Sequence, residues 1–133
     1  MLPALIRKFH EAKAHGASEV EIWGTGTPRR EFLHVDDLAD ACVFLMQSYS
    51  DEKLVNIGVG ADVSIRELAG LVARTVGYDG SLKFDTRKPD GTPRKLLDVS
   101  RLTALGWTAK IPFEQGLQQT YQWFLDNEGS RRE

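Results

Sequence analysis

The chain has 133 residues, with 17 basic and 19 acidic side chains, a net charge of −2 and 41% hydrophobic residues. A chain of this size can bury a core without disulfides or metal ions, but it is short for a complete two-lobed enzyme. The near-neutral charge, with no run of five basic residues, argues against general binding to nucleic acids or to anionic membranes.

The beginning of the chain does not have the pattern of a secretion signal. Its apolar residues are interleaved at helical spacing with Arg7, Lys8 and His10, and no stretch approaches the ~18 apolar residues that a membrane helix needs. The single cysteine, Cys42, excludes an intrachain disulfide and lies in an apolar run. We therefore expect Cys42 to be a buried small hydrophobe, and the protein to be cytoplasmic.

The first elements in chain order are a helix and two extended segments. Pro3 suits a first helical turn, and the apolar spacing after it predicts an amphipathic helix to about Ala14, ended by Gly16. The segment 20–23 alternates as a strand does, and 31–35 is a second extended segment after a turn rich in glycine and threonine. These elements predict a mixed helix and strand pattern.

The next predicted helix starts at two adjacent carboxylates. Asp36 and Asp37 suit an N-cap and a negatively charged first turn, and the helix is expected to run to about Gln47. Between Ala41 and Met46 this helix is apolar on nearly every side. That pattern predicts a helix buried between two layers.

The second half of the chain continues the alternation. A short strand at 54–57 precedes Ser64 and Glu67, which form a capping box for a helix that ends at Gly77. The remaining expected elements are a strand at 81–84, a polar loop at 85–94, a short helix capped by Asp98 that ends at Gly106, a last helix from Pro112, and a frayed tail at 128–133. This order predicts an α/β or α+β domain.

The usual catalytic patterns are incomplete in this sequence. The glycines of 58–60 follow a strand, but Val63 stands where a dinucleotide loop has its third glycine and the helix is capped only at Ser64, which favours a turn. Tyr49 and Lys53 have the spacing of a Tyr-x-x-x-Lys pair but lie in a polar loop. The three histidines lack paired spacing. We therefore predict no catalytic, cofactor-binding or metal-binding residue.

Two segments have the composition of a ligand site. The first, 23–30, joins Trp23 to a flexible turn and to two arginines, which offers a flat face for a base and planar forks for phosphate. The second, 88–95, holds three cations, two prolines and Asp90, whose carboxylate can accept hydrogen bonds from a guanine edge or sugar hydroxyls. The alternatives are an exposed hairpin and a solvated charged loop. Together the segments suit a nucleotide-diphosphate ligand.

Several segments also resemble a known family. The segments 30–39, 56–60 and 65–69 resemble the second half of extended short-chain dehydrogenases that act on nucleotide sugars. Within that group, the chain resembles the GDP-L-fucose synthase family in the segments 3–12, 23–26, 88–98 and 120–125. The resemblance covers residues 2 to about 127. It implies an α/β fold over 1–127, namely the C-terminal substrate-binding portion of a Rossmann-type extended short-chain dehydrogenase fold, with mixed helices and short strands.

The resemblance also implies a function and a set of site residues. The family converts GDP-4-keto-6-deoxy-D-mannose to GDP-L-fucose with NADPH, as homodimers. By resemblance, Trp23 and Arg30 match substrate-contacting positions, and so do Asp90 and Lys95 in the second loop. Lys8 falls where the family has a substrate-contacting arginine, which keeps the charge but loses the planar fork.

Other features depart from the family pattern. Ser81 falls where some members place an arginine near the ligand. The family's NADP loop, its Ser/Tyr/Lys triad and its epimerisation Cys and His all lie upstream of the matched region, and hydride transfer needs these groups at reacting distance. The resemblance therefore implies a substrate-binding half that is inactive alone and does not itself bind NADP(H). Its expected partners are a GDP-sugar, the missing N-terminal NADP-binding half and a further copy of the enzyme. Two alternatives stay open for the chain. It is part of another nucleotide-sugar epimerase or dehydratase, or it is a non-catalytic nucleotide-sugar-binding module.

Overall fold

The structure, a computed structural model, describes residues 1–127 and contains helices and short strands in the mixed α/β arrangement predicted above. The helices α1 to α5 are Leu2–Ala14, Val35–Ser48, Ile65–Val76, Ser100–Ala104 and Phe113–Asn127. The strands β1 to β5 are Glu19–Trp23, Arg29–Arg30, Val63–Ser64, Ser81–Asp85 and Arg94–Lys95. The tail predicted at 128–133 lies outside the described residues.

The strands form two small sheets. β1 and β4 pair in parallel, from Glu19 opposite Ser81 to Trp23 opposite Asp85. In the second sheet, β2 pairs antiparallel with β3 and parallel with β5. Because β1 and β4 run the same way, their carboxyl ends lie side by side. The turn after β1 and the loop after β4 therefore start from the same edge.

The main core is built from α1, α3, α5 and the β1–β4 sheet. Phe9 of α1 and Leu68 of α3 are fully buried in it. The predicted capping box is confirmed at the start of α3, where the Ser64 hydroxyl accepts a hydrogen bond from the Glu67 N–H and the Glu67 carboxylate accepts one from the Ser64 N–H. α3 ends at Gly77, which has a left-handed φ of 73°. Local sequence signals therefore place this helix at both ends.

The start of α2 differs from its prediction. The helix begins at Val35, and its N-cap is His34, whose Nδ1 accepts a hydrogen bond from the Asp36 N–H at 3.3 Å. The prediction that Asp36 caps the helix is wrong, because the His34 imidazole has that role two residues earlier. The extended segment predicted at 31–35 is also displaced: the paired residues are Arg29–Arg30, since the Pro93 carbonyl and β3 offer backbone partners only there.

The predicted burial of α2 between two layers is wrong for residues 1–127. Ala41 is fully buried against Leu102 and Trp107, but Cys42 is exposed and Met46 is 77% exposed. Only one side of the helix meets other elements of the described chain. The apolar residues on its other sides therefore remain at the surface.

Two other local predictions need correction. Residues 54–57 do not form a strand in the structure, because an extended segment becomes a strand only where a neighbour supplies ladder hydrogen bonds. The short helix α4 has Val99 as its N-cap residue, while Asp98 Oδ1 accepts a hydrogen bond from the Ser100 N–H at 2.9 Å. Asp98 therefore stabilises the start of α4 from the position before the N-cap, whereas the sequence predicted it as the cap itself.

Asp37 links α2 to the segment before α5. Its side chain is 3% exposed, and its Oδ2 accepts hydrogen bonds from the backbone N–H groups of Lys110 at 3.1 Å and Ile111 at 2.9 Å. We expect Asp37→Asn to lower the free energy of unfolding by about 1–2 kcal/mol, because a neutral amide oxygen accepts more weakly than a carboxylate. Urea denaturation followed by circular dichroism measures this loss.

Asp36→Asn is the matched control for this prediction. Asp36 is the sequence neighbour, but its side chain is 78% exposed. We expect its substitution to cost at most about 0.5 kcal/mol, through the weakened favourable charge at the helix N-terminus. Equal losses from the two variants would mean that the contacts of Asp37 do not stabilise the fold.

Candidate functional site

A cavity of about 420 Å³ lies between α1, the end of β1, β2 and the loop that follows β4. Four of the five residues predicted as substrate-binding line it: Lys8, Trp23, Arg30 and Asp90. The rest of the wall is largely apolar, with Leu5, Ile22 and Ile65 among its members. A largely apolar cavity of this size with a few convergent polar groups has the usual character of a small-molecule site.

Trp23 is the last residue of β1 and stands at the mouth of the cavity. Its side chain is 67% exposed, and the Lys88 ammonium lies 5.2 Å from the centre of its ring. An exposed indole can receive a planar base on its face, and a cation near the ring strengthens the attraction for anionic groups close by. The two predicted ligand segments therefore meet at this residue.

Asp90 ties the loop after β4 to the turn after β1. Its Oδ1 accepts a hydrogen bond from the Thr25 N–H at 2.9 Å, and its Oδ2 accepts one from the Thr25 hydroxyl at 2.6 Å. The Thr25 hydrogen bonds hold the pKa of this carboxyl below its ordinary value. Gly24, at φ +84°, makes room for the contact, since a Cβ there would lie 2.2 Å from Asp90 Oδ1. Contact of Asp90 with a ligand stays a prediction.

Arg30 and Lys95 are paired across the second sheet. They lie opposite each other in the parallel ladder between β2 and β5. Arg30 lines the cavity and donates a hydrogen bond from Nη1 to the Arg29 carbonyl at 2.6 Å. Lys95 instead lines an adjacent depression with Glu31 and Leu97. The structure thus places the two cations next to each other, with Arg30 alone in the wall of the main cavity.

Lys8 and Ser81, the two positions that the resemblance matches to an arginine of the family or of some of its members, lie in different parts of the structure. Lys8 lines the cavity, and its ammonium donates a hydrogen bond to the backbone carbonyl of Glu21 on β1. Ser81 begins β4, at the far end of the strand from the cavity, about 13 Å away along the chain. Lys8 therefore adds positive charge to the site, whereas Ser81 is outside it.

The loop 58–60 is engaged by a carboxylate of the same chain. Glu31 Oε1 accepts hydrogen bonds from the N–H groups of Val59 at 2.6 Å and Gly60 at 2.7 Å, and its Oε2 accepts one from Leu97 at 2.9 Å. This is the arrangement of a structural turn, as the sequence predicted. The sequence did not identify Glu31, although an acidic residue next to a predicted ligand arginine was the available signal.

The remaining sequence candidates lie away from the cavity. Tyr49 uses its hydroxyl to bind the backbone carbonyl of Lys53 at 2.7 Å, in the loop after α2. Among the described residues, no group of three or more His, Cys, Asp or Glu side chains could hold a metal ion. Within the same residues, none of the helices combines the length and apolar character needed to cross a membrane.

Sequence reasoning also missed Asp62, whose carboxylate lies between two arginines. Its side chain is 4% exposed, and its two oxygens accept hydrogen bonds from Arg29 Nε at 2.7 Å and Arg94 Nε at 2.5 Å. The hydrogen bonds from Arg29 and then Arg94 hold the pKa of the Asp62 carboxyl below its ordinary value. Asp62 thus neutralises the two arginines that precede Arg30 and Lys95 in their strands. Only the tertiary structure brings these three residues together.

Comparison with known proteins identifies a family model and sequence relatives that match this chain. Residues 1–58 match the family model of the NAD dependent epimerase/dehydratase family. The putative GDP-L-fucose synthase 2 of Arabidopsis thaliana is 63% identical over 127 residues, which are 96% of this chain and 39% of the relative. The GDP-L-fucose synthase of Escherichia coli (strain K12) is 53% identical, over 96% of this chain and 43% of the relative.

Solved structures agree with the sequence relatives. A GDP-L-fucose synthetase from Naegleria fowleri superposes with a TM-score of 0.91 at 30% identity, over 99% of this chain and 41% of that one. MlghC, a GDP-mannoheptose C4 reductase from Campylobacter jejuni with NADP bound, superposes with a TM-score of 0.83 at 42% identity, over 93% of this chain and 44% of that one.

The chain therefore spans between 39% and 44% of the length of these four relatives. Its mixed helices and short strands are those of a Rossmann-like extended short-chain dehydrogenase. In sequence and in fold, this chain is homologous to part of the NAD dependent epimerase/dehydratase family, the extended short-chain dehydrogenases that include the GDP-L-fucose synthases.

Proposed function

We propose that this chain is the GDP-sugar-binding half of a GDP-L-fucose synthase, an NADPH-dependent enzyme that converts GDP-4-keto-6-deoxy-D-mannose to GDP-L-fucose. The observation that carries the proposal is the cavity at which Trp23, Arg30 and Lys8 converge. It is supported by 63% identity to a protein named as a putative GDP-L-fucose synthase. By this proposal the enzyme is cytoplasmic and homodimeric, and this chain supplies its substrate recognition.

The charges of the cavity suit a nucleoside diphosphate. Trp23 offers a ring face to the guanine, and Arg30 offers a planar fork to the phosphates. Lys95 stands beside Arg30 in the ladder, within a side chain's reach of the same diphosphate. Lys8 adds a cation on the α1 side of the cavity. The sugar would then lie among the apolar residues of the wall.

The described residues do not fit the pyrophosphate of NADP. A dinucleotide site uses the free N–H groups of a glycine loop and of a helix N-terminus. Here the loop 58–60 donates to Glu31. The first three N–H groups of α3 donate to the carbonyls of Pro28 and Gly26 and to the Ser64 hydroxyl. We therefore propose that the rest of the enzyme holds NADPH.

The outer side of α2 fits the proposal of a further half. Val43 and Met46 of α2 are 47% and 77% exposed, and Leu54 beyond the helix is 91% exposed. Scattered exposed apolar residues are common, but several on one helix and its continuation favour a surface that another element covers. The chain spans only 39% of its Arabidopsis relative. We propose the NADP-binding half of the same enzyme as the occupant.

Calorimetric titration with GDP and with guanosine tests the binding part of the proposal. We expect GDP to bind, and Trp23→Ala to weaken both ligands by about 10–100-fold, because the base loses its ring face. Arg30→Ala should weaken GDP by a similar factor and leave guanosine unchanged, because guanosine has no phosphate to meet the guanidinium.

Two substitutions outside the cavity serve as controls for these variants. Trp123→Ala removes an indole that is 53% exposed on α5, and Arg74→Ala removes an exposed guanidinium in the last turn of α3. Both should leave the affinities unchanged. A folded protein that does not bind GDP, or variants of Trp23 and Arg30 that bind it normally, would contradict the proposal.

A second candidate function is that of another GDP-sugar reductase. The observation that favours it is the 42% identity to a GDP-mannoheptose C4 reductase, over 93% of this chain. A chimera in which this chain replaces the matched 127 residues of the Arabidopsis relative separates the two candidates. Formation of GDP-L-fucose from the 4-keto sugar with NADPH supports the proposed function. Turnover of a heptose substrate alone would favour the second.

A further inference from the structure

Asp62 lies behind the two cations that we assign to the diphosphate, directly before β3. Its side chain is 4% exposed, and its two carboxylate oxygens bind Arg29 of β2 and Arg94 of β5. Its backbone carbonyl accepts a further hydrogen bond from Arg29 Nη2 at 2.9 Å. One carboxylate therefore joins β2 to β5 through side chains, in addition to the backbone ladder between the strands.

The two arginines that Asp62 binds are the ladder neighbours of the two ligand cations. Arg29 lies opposite Arg94, and Arg30 lies opposite Lys95 in the same parallel pair. Successive residues of a strand point to opposite faces of the sheet, so each opposed pair shares a face. Fixing the distance between Arg29 and Arg94 on one face therefore fixes the distance between Arg30 and Lys95 on the other.

This second anchor matters because the ladder itself is short. β2 and β5 contain only two residues each, and such a pair has few backbone hydrogen bonds to hold its register. Arg94 and Lys95 are both exposed and follow directly on the charged loop after β4. Without Asp62, only the few backbone hydrogen bonds of this short pair would hold the end of that loop against β2.

We propose that Asp62 is a positioning residue for phosphate recognition: by clamping Arg29 to Arg94, it holds Arg30 and Lys95 side by side for a diphosphate. The inference rests on the proposed function, since it requires a ligand that carries phosphates. Asp62 acts through the two strands and does not contact the ligand.

When Asp62 is replaced, a positioning role and simple electrostatics predict opposite changes in the affinity for an anionic ligand. Asp62 is a negative charge, and its removal leaves Arg94 without the carboxylate that it binds and Arg29 with only the Glu67 carboxylate, at 3.5 Å. The surroundings of the site therefore become more positive. On charge alone, an anionic ligand would bind more tightly to the variant. If Asp62 acts by position, the anionic ligand binds more weakly although the positive charge has increased.

The test compares GDP and guanosine binding to the protein and to Asp62→Asn by calorimetry at constant ionic strength. We expect the variant to bind GDP about tenfold more weakly, because a misplaced cation pair loses its directed hydrogen bonds. Guanosine affinity should not change. A general loss of structure would weaken both ligands, and the split between them is therefore specific to positioning.

Asp40→Asn is the matched control. The Asp40 carboxylate also accepts two side-chain hydrogen bonds, from Trp107 Nε1 at 2.7 Å and Lys110 Nζ at 2.9 Å, and it does not line the cavity. Its substitution should leave both affinities unchanged. GDP binding by Asp62→Asn that equals or exceeds that of the unsubstituted protein would overturn the inference and leave the proposed function intact.

Arg94→Lys keeps the test decisive if Asp62→Asn does not fold. This change retains the charge of an exposed residue but loses the planar fork that meets Asp62. Electrostatics predicts no change in GDP affinity, whereas positioning predicts a selective loss in the direction of Asp62→Asn. Absence of GDP binding by the unsubstituted protein would overturn the proposed function and this inference together.

Discussion

We expect Leu68→Ala to lower the free energy of unfolding by about 2–5 kcal/mol, the usual range for a leucine truncated in a packed core. Leu68 is fully buried on the inner face of α3, within the core that α1, α3, α5 and the β1–β4 sheet share. Its removal leaves a cavity within this packed core. Urea denaturation of both proteins measures the difference.

Leu54→Ala is the matched control, because it makes the same chemical change at a residue that is 91% exposed. In this chain by itself we expect a change of less than about 0.5 kcal/mol. A loss from Leu54→Ala comparable with that from Leu68→Ala would show that the surface beyond α2 is covered in solution, for example by a second copy. A negligible loss from Leu68→Ala would contradict the core described above.

Gly26→Ala should destabilise the protein by about 2–4 kcal/mol and weaken GDP binding as well. Gly26 lies in the turn after β1 at φ +79°, where a side chain is strained. A Cβ there would lie 2.5 Å from Phe84 Cε1. That ring has little freedom to move, because the Arg66 guanidinium stacks on it at 3.7 Å and also binds the Thr25 carbonyl. Overpacking therefore adds to the backbone strain.

Gly16→Ala separates the backbone strain from the overpacking that together lower the stability of Gly26→Ala. Gly16 also has a positive φ, of +63°, but a Cβ there meets nothing within 4 Å. We expect it to cost only about 1 kcal/mol, from the left-handed backbone alone, and to leave GDP affinity unchanged. If Gly26→Ala cost no more than Gly16→Ala in thermal or urea denaturation, the close contact with Phe84 would not be part of the native turn.

Sequence predicts best the helices and strands whose deciding residues lie close together in the chain. α1 follows from Pro3 and its apolar spacing, and its bounds of Leu2–Ala14 agree with the prediction. α3 follows from a capping box and from Gly77, and both caps are present. β1 and β4 follow from alternation and are confirmed. In each case, the residues that decide the structure lie within a few positions of one another.

The elements that sequence predicts poorly depend on distant partners. Residues 54–57 have the composition of a strand but lack a ladder partner in the described chain. β2 is a strand only because it pairs with β3, 33 to 35 positions further along the chain, and with β5, 65 positions further along. The apolar run of α2 predicted burial on all sides, yet Cys42 is exposed because only one side of that helix has neighbours in residues 1–127.

For the site, the composition of two segments indicated a nucleotide-diphosphate ligand, and the family resemblance supplied five residues, four of which line one cavity. The proximity of the two loops was decided by the parallel pairing of β1 with β4, which places the turn after one strand beside the loop after the other. The engagement of Asp90 by Thr25 also follows from that pairing. The difference between Arg30 and Lys95 arises in the other sheet, where β2 pairs with β5.

Sequence by itself therefore determined an α/β chain, the ends of α1 and α3, and the aromatic, cationic and acidic side chains that we propose for a nucleoside diphosphate. These depend on side-chain types and local spacing, which a sequence states directly. Only the tertiary structure decided which charges face the cavity and which are neutralised behind it, as Asp62 does for Arg29 and Arg94. Those three residues span more than one element, and their contact exists only once the strands have paired.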